Sequence, residues 1–232
     1  MYFAVSDIHG HYNEFQKILK NWNPESEQLI VLGDLIDRGP NSKGVLKLAK
    51  KLKEDYGAII TLGNHEDMFL NWLQSRDLQE AAFSFDFFKE TLESFDAYSP
   101  NPRYAKRSIN IVNFRYSDYI EFLLNLPLYL DEENVFFSHA GLNLKKKHLN
   151  EMNKEDFIWS RKEFYLSPKK PKKAVFFGHT PTFMIHPDKS SDIWISDCGK
   201  KIGIDGGSFK TGTLNGVKVD REGNVVSTCQ SL

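Results

Sequence analysis

Three short segments of this chain carry the residue types that bind metal ions and move protons, and each follows an apolar run. Ser6-Asp7-Ile8-His9-Gly10 follows residues 2–5. Gly33-Asp34-Leu35-Ile36-Asp37-Arg38-Gly39 follows Leu29-Ile30-Val31-Leu32, and Gly63-Asn64-His65-Glu66 follows residues 58–62. Two later apolar runs end the same way, in His139-Ala140-Gly141 and Gly178-His179-Thr180. The donors are carboxylates, imidazoles and an amide, without thiols. Such a set suits Mn²⁺, Fe or Zn²⁺. Asp7, His9, Asp34, Asn64, His65, His139 and His179 are too many candidate donors for one tetrahedral ion. They fit two ions sharing a bridging carboxylate, which can clamp the attacking and leaving oxygens of an in-line displacement at phosphorus. One Asp after one strand is ordinary turn or cap chemistry. Five such segments in series are not explained that way.

The elements that must position these residues alternate. Residues 2–6 read as a buried strand, and a helix follows with Tyr12, Phe15, Ile18, Leu19 and Trp22 on one face. A second strand at 29–32, a helix around 42–55 and a third strand at 58–62 complete a βαβαβ order. That order implies a parallel sheet covered by helices, with ligands gathered beyond the carboxyl ends of its strands. Residues 65–98 read as mostly helical, Ser99-Pro100-Asn101-Pro102 as a break, and 114–125 as another helix. Strands are expected at 127–131, 134–138, 174–178, 193–196, 202–205, 213–219 and 224–228, with a short helix at 154–158. One α/β domain over residues 1–232 is the simplest organisation, with 65–125 as a helical cap insertion.

Taken together, the segments resemble the signature blocks of the calcineurin-like metallophosphoesterase superfamily. The Asp37-Arg38-Gly39 extension is similar to the phosphoprotein phosphatase branch, which includes Ser/Thr protein phosphatases and diadenosine tetraphosphate hydrolases. The resemblance implies a four-layer α/β/β/α sandwich. It implies that Asp7 and His9 bind one metal, that Asp34 bridges, and that Asn64, His139 and His179 bind the other. It implies two divalent ions, Mn²⁺ first among them, and attack by a hydroxide held between them. His65 is then the general acid, oriented by Asp37, since an adjacent carboxylate raises an imidazole pKa. Arg38 and Arg161, the latter in Trp159-Ser160-Arg161, are the expected phosphate-gripping forks.

The expected substrate is a phosphorylated Ser/Thr protein, with dinucleoside polyphosphates (bis(5'-nucleosyl)-tetraphosphatase activity) as the alternative. A non-catalytic phosphate-binding protein ranks last, because no ligand or acid is missing. Leu62 stands where protein phosphatases usually carry Arg, and Gly203-Ile204-Asp205-Gly206-Gly207 is similar to the Ile-Asp-x-Gly segment of bacterial and phage forms.

Composition narrows the remaining classes. The 232 residues hold 30 Lys+Arg against 31 Asp+Glu, a formal net charge of −1. That balance argues against a dedicated DNA or RNA binder. Two cysteines do not make a disulfide framework. The apolar N-terminal run stops at Ser6-Asp7, too short for a secretion signal, and no run is long enough for a membrane span. The expectation is a cytoplasmic protein without membrane contact. The lysine runs 145–147 and 169–173 read as solvated loops, or as a weak attraction for an anionic substrate. The aromatic cluster at 83–98 reads as packing of the cap, with stacking of a nucleobase as the rival. His11 is expected to be a surface residue and His186 a loop residue, while His148, in a polar helix-like stretch, is assigned no role.

Overall fold

A computed structural model describes residues 1–231. The first half of the chain runs β1 (Tyr2–Val5), α1 (Tyr12–Ile18), β2 (Gln28–Val31), α2 (Ser42–Tyr56), β3 (Ile59–Ile60). Helices α3 (Asn64–Leu73), α4 (Leu78–Phe83), α5 (Lys89–Ser94), α6 (Ala105–Arg115) and α7 (Ser117–Leu124) follow without an intervening strand. The second half carries β4 (Tyr129–Asp131), β5 (Val135–Ser138), α8 (Lys154–Ile158), α9 (Lys162–Tyr165), β6 (Ala174–Phe177) and α10 (Thr182–Ile185). It ends in β7 (Trp194–Ile195), β8 (Lys201–Gly203), α11 (Ser208–Thr211), β9 (Asn215–Val219) and β10 (Val225–Gln230).

Two five-stranded sheets result, in the orders β10-β9-β1-β2-β3 and β4-β5-β6-β8-β7. The βαβαβ order gives the parallel pairs β1–β2 and β2–β3. In the second sheet β5, β6 and β8 are parallel, and β4 and β7 close the edges antiparallel. The inner strands are apolar on both faces because both faces are covered. Ala4, Ile30 and Leu32 of the first sheet pack against Val135, Phe137, Phe176 and Ile202 of the second. The opposite face of the first sheet packs Phe3, Val5 and Val31 under α1, α2 and the helices after β3. The outer face of the second packs Phe136, Val175 and Phe177 under Phe157, Ile158 and Phe164 of α8 and α9. The layers are therefore α/β/β/α, the sandwich that the family resemblance implies.

The helical stretch after β3 owes its position to aromatic packing. Phe85, Phe88 and Phe95 are buried against Phe69 and Trp72 of α3. Leu92 of α5 is buried in the same core. Phe95 also meets Tyr116 at the turn into α7. No helix among the described residues is long and apolar enough to cross a membrane.

Candidate dinuclear metal site

The strand ends converge as the spacing requires. Backbone bonds tie the loops together: His9 N–H donates to Asp34 O and Gly10 N–H to Leu35 O, both at 2.8 Å, and Gly178 N–H donates to His139 O at 2.7 Å. Six of the converging residues, Asp7, His9, Asp34, Asp37, Arg38 and His179, hold positive φ between 47° and 68°. Each such non-glycine conformation costs on the order of 1–3 kcal/mol. Only two other described non-glycine residues, Asp96 and Lys189, share it, so the strain is concentrated at this site. Two glycines make room. A Cβ on Gly63 would overlap the Asp34 carboxylate, and one on Gly178 would overlap that of Asp7.

Two groups of donors form, and Asp34 belongs to both. One joins His9, Asp34 and His65, and the other joins Asp34, His139 and His179. His9 Nε2 lies 3.5 Å from Asp34 Oδ2, and His139 Nε2 lies 3.4 Å from Asp34 Oδ1. Asn64 Oδ1 is 2.9 Å and His179 Nδ1 is 3.2 Å from His139 Nε2. Asp7 is buried beside them, but its carboxylate accepts the His179 backbone N–H at 3.0 and 3.1 Å, and it joins neither group.

These contacts fit divalent cations. His9 Nδ1–H donates to Ile36 O at 2.9 Å and His139 Nδ1–H to Leu32 O at 2.7 Å. A neutral imidazole has only one N–H, so both Nε2 atoms present lone pairs to other acceptors. Second bonds of this kind orient metal-binding imidazoles. The Nε2 atom of His179 is buried without a protein partner. Burial holds His9 down to about 3, and burial with His139 holds His179 down to about 2, so both are neutral at physiological pH. Three buried carboxylates crowd the same volume. Burial, Asp205 and Asp34 raise Asp7 well above its usual value, and burial above all pushes Asp205 up to about 7. A cluster of acceptor lone pairs and like charges needs cations among its members.

His65 sits at the edge of this cluster. Its Nδ1–H donates to Asp37 Oδ2 at 2.7 Å. Burial alone would lower His65, but the Asp34 charge and the Asp37 bond outweigh it and raise its pKa. Burial pushes the Asp37 carboxyl up, while the bonds from His65 and Thr91 oppose it. Arg38 is exposed, with Nη2 3.2 Å from His65 Nε2 and its guanidinium 4.3 Å over the Phe209 ring. Arg161 reaches the other side of the site, where Nη1 donates to His179 O at 3.1 Å and Thr180 Oγ1 at 3.2 Å.

Three residues to which the sequence assigns no role belong to this site. Glu66 accepts four backbone N–H bonds, from Asp34 and Gly63 on one oxygen and Leu35 and Ile36 on the other. Burial and Asp34 push its carboxyl up to about 8, while each of the four donors favours the anion. Glu66 thereby holds the Asp34 loop against the start of α3. Thr91, from the helical insertion, donates its hydroxyl to Asp37 Oδ1 at 2.5 Å. Asp205 faces Asp7, and its Oδ1 accepts Gly207 N–H at 2.7 Å. Glu66 and Asp205 stand within motif blocks; Thr91 has no local signal. The two lysine runs meet elsewhere, around a groove over the outer face of the second sheet. His11 is half-buried, His148 exposed and the half-buried His186 bonded to a loop carbonyl.

A family model described as calcineurin-like phosphoesterase matches residues 2–207. A symmetrical bis(5'-nucleosyl)-tetraphosphatase of Glaesserella parasuis serovar 5 (strain SH0165) is 40% identical over 74 residues, 31% of this chain and 26% of that protein. The match thus spans about a quarter of that relative's length. The asymmetrical bis(5'-nucleosyl)-tetraphosphatase PrpE of Anoxybacillus flavithermus (strain DSM 21510 / WK1) is 26% identical over 202 residues, 82% of this chain and 70% of that protein. Among solved structures, a protein serine/threonine phosphatase from Saccharomyces cerevisiae superimposes with a TM-score of 0.59 at 14% identity, covering 98% of this chain and 78% of that one. At that identity the likeness speaks for the fold alone.

Proposed function

The chain belongs to the calcineurin-like phosphoesterase family, and from that premise we propose that it hydrolyses dinucleoside polyphosphates at a pair of divalent metal ions, Mn²⁺ by preference. The observation that carries the hydrolytic part is Asp34, whose two carboxylate oxygens face two separate groups of imidazoles. The nucleotide part is supported by the names of the sequence relatives and by Leu62 in place of Arg.

His9 and Asp34 would hold one ion, with Asp7 alongside. Asp34, Asn64, His139 and His179 would hold the other. When bound, two such ions supply Lewis-acid charge and an activated water. The chain's own groups do the rest. Arg38 and Arg161 grip phosphate oxygens from opposite sides of the site, and a planar fork suits that task. His65, with Nδ1–H fixed on Asp37, delivers the proton from Nε2 to the departing oxygen. A second reading is hydrolysis of phosphoserine or phosphothreonine in proteins, because the Asp37-Arg38-Gly39 segment is similar to one shared by both kinds of enzyme.

Purified protein should hydrolyse p-nitrophenyl phosphate with added Mn²⁺ and lose the activity on chelation. His65→Asn should lower turnover by roughly 10²–10⁴ while retaining its metal content. Near-full turnover in that variant would remove His65 as the acid. Rates on diadenosine tetraphosphate and on a phosphopeptide panel, measured side by side, decide between the two substrate classes.

A further inference from the structure

The helix that delivers Asn64 and His65 continues away from the metal ligands, and its later turns wall a cavity of about 670 Å³. Met68, Asn71 and Trp72 of that helix line it, at the i, i+3, i+4 spacing of one helix face, and Ser75, just past the helix end, adds to the same wall. Met68 stands about 4.5 Å along the axis from His65, so the cavity begins roughly one turn beyond the proposed acid. The facing wall is the end of α4 and the turn after it, which contribute Phe83 and Phe87.

These two phenylalanines differ from the rest of their cluster. Phe85, Phe88 and Phe95 are buried, as cap packing requires, whereas Phe83 is 92% and Phe87 49% exposed. Phe87 links the cavity to the chemistry: its ring stacks on His65 with centroids 5.5 Å apart and an interplanar angle of 22°. Polar groups that could meet a heterocycle's edge surround the rings, among them Asn71, Arg76 and Ser84. Exposed aromatic faces beside a few polar groups, in a cavity of this size, suit a planar heteroaromatic ligand.

We propose that this cavity is a nucleobase-binding subsite, in which a purine stacks between Phe83 and Phe87 while its phosphates lead back along α3 to His65 and Asp34. The subsite deepens the nucleotide reading given above and rests on it for the substrate's phosphate end. Stacking on aromatic side chains is sequence-tolerant and is lost on truncation to alanine. Phe83 is exposed and bears no part of the core, so its truncation leaves the fold in place.

Adenosine tests the subsite apart from the metals, because it carries no phosphate. Saturation-transfer NMR on the purified full chain should show adenosine base protons saturated by the protein, and the effect should be lost in Phe83→Ala. The ratio of kcat/KM for diadenosine tetraphosphate to that for p-nitrophenyl phosphate should fall roughly tenfold or more in the same variant. No transfer to adenosine from the unaltered chain, or a ratio within twofold of it in Phe83→Ala, overturns the subsite. Hydrolysis of p-nitrophenyl phosphate alongside either result leaves the phosphoesterase reading standing, and its absence removes that reading instead.

Discussion

His65 gains its character from its burial and two neighbouring carboxylates, which pull in different directions. Burial disfavours its charged form, and the Asp34 charge and the Asp37 bond favour it. Cations bound at Asp34 would cancel much of that residue's influence, leaving the Asp37 contact at 2.7 Å as the main support for the proton. If His65 is the acid proposed above, its raised pKa keeps it protonated to higher pH, and activity should be lost as pH rises through that value. Asp37→Asn removes the carboxylate charge, so the alkaline limb of kcat/KM should move to lower pH. An unmoved limb would show that Asp37 does not hold the proton. Asp7, His9, Asp34 and His179 are legible in the sequence because each follows an apolar strand run. Their left-handed backbone, and the turn of Asp7 toward the His179 amide, are not, because they depend on how loops from distant strands meet.

α5 changes what the helical insertion does. From sequence the stretch after β3 reads as a cap, and the break at 99–102, the helix ending near 125 and the aromatic packing are all present. Thr91 cannot be read there, because a threonine in a short amphipathic helix gives no sign that it meets a loop 54 residues earlier. Its hydroxyl donates to Asp37 Oδ1, and it shares the Asp37 N–H with Ser42. Thr91 therefore lets the insertion reach the Asp37 carboxylate and position the His65–Asp37 pair from behind. Thr91→Val keeps the volume and removes the hydroxyl. It should lower kcat several-fold with KM little changed, and Thr91→Ser should restore the rate. A Val variant as active as the parent, or a Ser variant no better than Val, would reduce Thr91 to packing. The alternation of β and α elements is legible for a simpler reason. Strands covered on both faces are continuous apolar runs, and helices show a 3.6-residue stripe. The aromatic cluster is legible only in part, since one short run yields both buried Phe85 and Phe88 and exposed Phe83 and Phe87.

Across the molecule, a net charge of −1 conceals strong local asymmetry. Asp7, Asp34 and Asp205 are buried close together, and in the absence of cations their repulsion and desolvation oppose folding. Ligands that bind only the folded chain stabilise it by about 2.7 kcal/mol at one hundred times their Kd. For a chain of this size that corresponds to roughly 5–10 °C in Tm. Mn²⁺ added to chelator-treated protein should therefore raise Tm by that order, in a concentration-dependent way; a Tm indifferent to Mn²⁺ would count against a built cation site. The most direct test of the paired-metal centre is anomalous diffraction from Mn²⁺-loaded crystals. Two peaks about 3.5–4 Å apart are expected, one beside His9 and one beside Asn64, His139 and His179, with Asp34 between them. A single peak, or manganese bound away from Asp34, would contradict a centre bridged by that carboxylate.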